Sequence, residues 1–193
     1  MHKQHLYEAR TGGYHTCRIP VLAVAPGGTV LAACEARTGG GGDWDGNDLL
    51  LRRSHDHGVT FDESIRIVAF RDYGPGPISN LVLIPDPDAG RVVAVFCHDY
   101  ARVFVMHSND DGATWREPRE ITAAVEPLKD VYPWVVVATG PGHGLRLKNG
   151  RMIVPVWMSD GSGSGKGHKD GRGHRPSVVT SLYSDDGGDT WHA

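Results

Sequence analysis

The sequence predicts an all-β protein built from small, repeated antiparallel sheets, and three observations predict it. The apolar runs are short and rich in β-branched residues. Turn residues punctuate them throughout, with 26 glycines and 12 prolines in 193 residues. One octapeptide pattern also recurs three times. No window carries a persuasive helical period, and only 118–130 accommodates a helical turn.

The element boundaries follow from these runs. Strands are expected at 19–25, 29–36, 48–54, 65–70, 78–84, 91–97, 101–108, 145–147, 152–158 and 177–183. Pro-Gly-Gly at 26–28, Pro-Asp-Pro-Asp-Ala-Gly at 85–90 and Lys-Asn-Gly at 148–150 supply turns at hairpin spacing. The run 91–97 is almost continuously apolar, as in a strand covered on both faces.

The octapeptide reads Ser-His-Asp-His-Gly-Val-Thr-Phe at 54–61, Ser-Asn-Asp-Asp-Gly-Ala-Thr-Trp at 108–115 and Ser-Asp-Asp-Gly-Gly-Asp-Thr-Trp at 184–191. Each copy follows an apolar strand, as the tip of a hairpin would. The carboxylate of Asp56, Asp110 or Asp186 can accept bonds from the turn's own N–H groups. The Gly supplies a positive φ, and the aromatic residue returns to the sheet. The copies start 54 and 76 residues apart, so one unit is about one four-stranded sheet, the size of a propeller blade.

Composition excludes several classes. Twenty Lys and Arg against 23 Asp and Glu give a formal charge of −3, without the basic excess of a general nucleic-acid binder. No stretch approaches the roughly 18 apolar residues of a membrane span. The first ten residues hold no apolar signal-peptide core, which leaves a cytoplasmic protein or one whose true start has been removed. Cys17, Cys34 and Cys97 are odd in number and widely spaced, suggesting neither a disulfide framework nor a zinc site.

The octapeptide resembles the Asp-box of sialidases. Further segments extend the likeness from about Leu6 to Trp191. Tyr14-His-Thr-Cys-Arg18-Ile-Pro20 is similar to the Tyr-Arg-Ile-Pro segment that opens sialidase catalytic domains. Cys34-Glu35-Ala36-Arg37 resembles their Glu-Gly-Arg, with Ala for Gly. Asp43-Trp-Asp45 follows the glycine run 39–42, and Ala138-Thr-Gly-Pro-Gly-His-Gly144 and Leu147-Lys-Asn-Gly-Arg151 match a later segment. The resemblance implies a six-bladed β-propeller, of which this chain covers about three blades. In the family the Asp-box joins the third and fourth strands of a blade. The third box ends at Trp191, so the expectation is a domain cut in mid-blade, with its C-terminal blades missing.

The implied function is an exo-α-sialidase that removes terminal sialic acid from glycoconjugates with retention. The substrate bears a carboxylate on its anomeric carbon, and a guanidinium matches that anion in a bidentate fork. The resemblance makes Arg18 one of three arginines gripping it, and Arg37 a contact to hydroxyls of the sugar ring. Glu35 orients or pairs with an arginine. Asp43 stands where the family has its general acid/base, with Asp45 as a nearby competitor. Loop closure over substrate would dry Asp43 and raise its pKa. Asn80 would border the pocket for the N-acyl group, although Leu81 replaces the Pro that often follows there.

Sialidases use a Tyr nucleophile, because a carboxylate would be repelled by the carboxylate already on the reacting carbon. Tyr14, Tyr73, Tyr100 and Tyr132 sit in no matching motif, so the Tyr, its Glu and the remaining arginines are expected outside this sequence.

No cofactor or metal is implied, and the expected partners are sialylated glycans. Asp43-Trp-Asp45-Gly-Asn47 opens like an EF-hand loop but carries Asp48 and Ser54 where Gly and Glu belong. The glycine-rich stretch 161–167 lacks the P-loop spacing and the Ser or Thr after Lys166. His168 and His174 flank that stretch as weak metal candidates, and His55 and His57 fall inside the first box. The rival reading is a non-catalytic propeller module that binds carbohydrate or protein.

Overall fold

A computed structural model describes residues 3–163 and 172–193. The stretch holding Lys166 and His168 lies outside them. The described chain forms three successive sheets. The first is antiparallel in sequence order: β1 (Thr16–Val24), β2 (Val30–Arg37), β3 (Asn47–Ser54) and β4 (Ile65–Val68). The second has β5 (Ile78–Asp86), β6 (Arg91–His98), β7 (Arg102–Ser108) and the short β8 (Arg119–Glu120).

In the third sheet, β9 (Val136–Thr139) and β11 (Leu145–Arg146) pair with opposite ends of β12 (Met152–Ser159), and β13 (Ser177–Ser184) pairs along its whole length. Between β9 and β11, β10 (Gly142–His143) crosses back to run parallel with β5.

The ten expected strands are all present, and the run 91–97 is buried on both faces, as its composition requires. Along β6, Val92, Ala94 and Phe96 enter the core shared with the first sheet, beside Leu31, Leu49, Leu51, Leu81 and Leu83. Val93 and Val95 enter the core shared with the third sheet, beside Met152, Val154 and Val156. This alternation is the period of two that a strand imposes.

Three short strands fall outside the expected set. β8 and β10 have two residues each, too few for a pattern. β9 lies in an unbroken Val-Val-Val-Ala run and shows no alternation because all four of its own residues, Val136–Thr139, are buried. The stretch 118–130 turns through two 3-10 segments, Thr122–Ala124 and Glu126–Asp130, where Pro127 fits an N-terminal position.

The octapeptides form tight turns after β3, β7 and β13. Asp56 accepts bonds from Ser54 Oγ (2.8 Å), Thr60 N (2.8 Å) and Thr60 Oγ1 (2.6 Å). Asp110 and Asp186 repeat the arrangement with Ser108 and Thr114, and with Ser184 and Thr190.

The turns also join neighbouring sheets. Asp111 accepts Gly27 N (3.1 Å) and Thr29 Oγ1 (3.0 Å) of the first sheet's hairpin. Gly112 has φ +80°, and a Cβ there would lie 3.0 Å from Leu31. Arg91 and Arg119 of the second sheet donate to the carbonyls of Gly187, Gly188 and Asp189 in the third copy.

Register separates these turns from the other end of the sheets. Val30 pairs with Ser54, at the first octapeptide, while Arg37 pairs with Asn47, at the loop carrying Asp43. Seven strand steps divide the two ends, roughly 24 Å at about 3.4 Å per residue. The same polarity holds in the second sheet, where Val92 pairs with Ser108 and His98 with Arg102. It holds in the third, where Met152 pairs with Ser184 and Ser159 with Ser177.

Candidate active site

Four of the five residues singled out from sequence meet through their side chains, at the end of the sheets away from the octapeptides. Arg18 stands opposite Glu35 across the β1–β2 pair. The register slips just after it, between Arg18 and Val21, where Ile19 has φ +54°. A β-branched residue in the left-handed region costs on the order of 1–3 kcal/mol and persists only where its surroundings enforce it.

The irregularity recurs in the other sheets. Asn80 has φ +60° at the register slip in β5, and Gly140 has φ +68° just after β9. Each sheet thus breaks its first strand at one left-handed residue. Arg18, Ser79 and Thr139 immediately precede the three breaks.

Glu35 and Arg37 lie two residues apart on one face of β2, both buried. Glu35 Oε2 accepts from Arg37 Nη2 (2.6 Å) and Nε (3.1 Å), while Oε1 accepts the backbone N–H of Asn80 (2.8 Å). Burial is the strongest influence on Glu35 and pushes its carboxyl up, with Arg37 and the Asn80 N–H pulling the other way. Burial also works to lower the Arg37 pKa, but Glu35 and Asp43 outweigh it and keep the guanidinium charged.

The loop 38–46 joins β2 to β3. Its neck is closed by Thr38, whose N–H and Oγ1 both donate to the Gly46 carbonyl (2.9 and 2.7 Å). Gly41 cannot be replaced freely: its φ is +81°, and a Cβ would lie 2.9 Å from His15 and Thr16. Arg37 Nη1 donates to the Gly41 carbonyl (3.1 Å).

The two loop carboxylates diverge. Asp45 Oδ2 accepts Gly42 N (2.7 Å) and so caps its own loop. Asp43 Oδ1 points inward and is shared by Arg37 Nη1 (2.6 Å) and Arg18 Nη1 (3.2 Å). The Asp43 side chain is 40% exposed and that of Arg18 51%, against 1% for Arg37.

Burial tends to raise the Asp43 pKa, but the hydrogen bond and charge of Arg37, then the charge of Arg18, prevail and hold it below the ordinary Asp range. This is opposite to the rise expected on closure over a substrate, because two guanidinium groups face the carboxylate here. Asn80 joins through its backbone: its N–H meets Glu35, and its carbonyl accepts Thr139 Oγ1 (2.8 Å).

Sequence reasoning missed the aromatic group beside the loop. Trp44 packs against Tyr100 (centroids 4.7 Å apart) and His174 (5.4 Å), and His174 lies 5.2 Å from Trp157. These residues come from three sheets and share no motif, so no local signal could have found them.

A cavity of about 580 Å³ lies elsewhere, lined by Tyr7, Tyr14, Cys17 and Arg52 among others; it includes none of Arg18, Arg37 and Asp43. Among the described residues, no three His, Cys, Asp or Glu side chains are grouped as a metal site would need. No helix among them is long and apolar enough to cross a membrane.

Known proteins resemble this chain over most of its length. The chain is 31% identical to human sialidase-4 over 96% of its length and 30% identical to mouse sialidase-3 over 92%. Along nearly its whole length the chain is similar to sialidases. It spans less than half of these sialidases, 41% and 45% of their lengths. No family model matches it. Among solved structures, the Hadza microbial sialidase Hz136 superposes with a TM-score of 0.74 over 93% of this chain and 37% of its own, at 23% identity. The all-β arrangement is therefore that of sialidases.

Proposed function

We propose that this chain contributes the anion-gripping and acid/base side of an exo-α-sialidase site, which cleaves terminal sialic acid from glycoconjugates with retention. The observation that carries this reading is the convergence of Arg18 and Arg37 on one oxygen of Asp43.

Asp43 occupies the place of an anion between the two guanidinium groups. A sialoside carboxylate would reach the exposed Arg18 first, since Arg37 is covered. Its planar match to the guanidinium displaces Asp43 from the longer of its two contacts. With Arg18 neutralised by substrate and water excluded, the downward pull on Asp43 weakens and its carboxyl can hold a proton. That proton then passes to the glycosidic oxygen as the bond to the anomeric carbon breaks. Arg37, locked by Glu35, keeps Asp43 within reach, and its placement fits that task before any contact with ring hydroxyls.

The reading takes the nucleophile from outside this sequence. A Tyr nucleophile must lose its proton, yet burial pushes Tyr73 up to about 12 and raises Tyr7, Tyr14 and Tyr100 as well. Tyr132 donates its hydroxyl to the Pro176 carbonyl. The three sheets are read as successive blades of a six-bladed propeller. Exposed apolar residues at both ends support this, with Leu22 at 56% on the first sheet and Val179 at 78% on the third, where further blades would pack.

The test is binding of N-acetylneuraminic acid to the 193-residue chain, followed by NMR shift perturbation. Weak binding around Arg18 that disappears in Arg18→Ala is expected. Binding that Arg18→Ala leaves untouched rejects the site, and turnover of an aryl sialoside by this chain rejects the division of the catalytic set.

A further inference from the structure

The loop carrying Asp43 has an attachment that the chemistry above does not use. Its glycines at 39–42 bring conformational freedom and no side chains to hold it. Trp44, the residue next to Asp43, supplies the missing anchor. Its ring sits 4.7 Å from Tyr100 and 5.4 Å from His174, and the Arg172 guanidinium lies 5.1 Å above it. His174 closes the group, 5.2 Å from both Tyr100 and Trp157.

The seat of Tyr100 is itself enforced. Asp99 and Tyr100 are the two central residues of the turn between β6 and β7, closed by Ala101 N–H on the His98 carbonyl (3.0 Å), with φ +50° and +49°, a conformation normally left to Gly, Asn or Asp. Arg172 holds this turn through the Asp99 carbonyl (2.9 Å) and carboxylate (2.8 Å), and Val137 N–H donates to the Tyr100 carbonyl (2.7 Å). Backbone strain maintained by contacts from another sheet marks a position with a task.

We infer that Trp44 is a latch and that Tyr100, Trp157 and His174 form its socket, so that three sheets together set the position of Asp43. Trp44 and His174 are then positioning residues, acting on chemistry only through Asp43. The inference rests on the reading of Asp43 as the acid/base. It explains why a glycine-rich loop can deliver one carboxylate oxygen to two guanidinium groups: the neck holds one side of the loop and the indole the other.

The experiment is an NMR titration of the Asp43 carboxyl carbon in the 193-residue chain, the signal being assigned by its loss in Asp43→Asn. In folded Trp44→Ala the loop no longer presents Asp43 to Arg37 and Arg18, so the titration midpoint moves upward toward that of an ordinary Asp. Amide exchange over 39–46 rises by about tenfold or more, while the sheets are unchanged. Trp44→Phe, which keeps a ring for the socket, restores both readouts. Trp157→Ala, which opens the socket without removing a charge near Asp43, moves the midpoint in the same direction and carries the test if Trp44→Ala does not fold.

A ring group that merely stabilised the fold would leave the titration of Asp43 in place. An unchanged midpoint in folded Trp44→Ala or Trp157→Ala overturns the latch. The function itself is judged separately, by Arg18-dependent binding of N-acetylneuraminic acid. A moved midpoint without such binding therefore rejects the activity and not the latch.

Discussion

Replacing Glu35 by Gln tests how the site is held together. The side chain is fully buried, and both of its oxygens are used, one by two nitrogens of Arg37 and the other by the Asn80 N–H. Gln keeps the shape but loses the charge. If its carbonyl serves one partner, its NH2 faces a second donor. Arg37 is then left buried with only the half-exposed Asp43 to balance it.

Removing one member of a buried ion pair costs about 3–5 kcal/mol. At about 2–4 °C per kcal/mol for a chain of this size, the melting temperature should fall by roughly 6–20 °C. The pair itself is a different matter. Burial opposes the charge on both partners, so the intact pair adds little net stability over an apolar pair of similar volume. Glu35→Leu combined with Arg37→Met should therefore recover most of the loss, while Arg37→Met alone should not. Thermal and urea unfolding followed by circular dichroism measure all four proteins. A Glu35→Gln chain within about 1 kcal/mol of the native one, or a double variant no better than the single ones, would refute the reasoning.

The remaining predictions concern the turns and the proposed acid. Asp111→Ala removes two contacts to the neighbouring sheet and places Ala at φ +52°. It should cost about 2 kcal/mol in the urea midpoint, and Asp111→Asn, which tolerates that φ and keeps an acceptor, less than half as much. Burial is the largest single influence on Asp110 and Asp186 and works to raise them, but the bonds from each turn's Thr, Ser and backbone together prevail and hold both at about 2. Their folded pKa lies below the ordinary Asp value of about 3.9, so their contribution is present above that pH and is lost as pH falls toward about 2. Thr114→Val should therefore lower stability at neutral pH and converge with the native chain near pH 2, read as urea midpoints across that range. In the whole enzyme the proposal implies, Asp43→Asn should lower kcat on a natural sialoside by about 10²–10⁴, and largely spare the first step with an activated aryl sialoside. Equal defects on both substrates remove Asp43 as the acid, and a selective defect in Asp45→Asn moves the role to that residue.

Much of the fold was legible because its signals are local. The octapeptide declares itself through residues that bond within the same turn, Ser54, Asp56 and Thr60 being within six positions of one another. The strands declare themselves through short β-branched runs between turn residues. β9 hid for the opposite reason: a strand buried on both faces, in a run of three valines, loses the alternation that marks a strand. Site residues were legible where one stretch of chain holds them. Glu35, Arg37 and Asp43 are spaced along a single hairpin, so strand alternation and loop length already bring them together.

The parts that were not legible depend on contacts between sheets. Trp44 and His174 are about 130 residues apart, and neither carries a pattern that names the other. Sequence ranks Asp43 above Asp45 only by its place in the resemblance; the direction of each carboxylate, Asp43 toward Arg18 and Arg37 and Asp45 toward Gly42 N, separates them in space. The placement of Arg18 depends in turn on Ile19. At φ +54° this residue interrupts β1 immediately after Arg18, so that Arg18 pairs with Glu35 while Val21, three residues on, pairs with Ala33. A regular strand would have kept β1 flat past this point and moved the strand beyond it by one position, exchanging its buried and exposed sides. The left-handed residue thus reconciles two demands on one strand, a guanidinium directed at the site and Val21 directed at the core. The same break at Asn80 and Gly140 shows that each sheet meets that conflict at the same place, where the strands reach the end that carries the site.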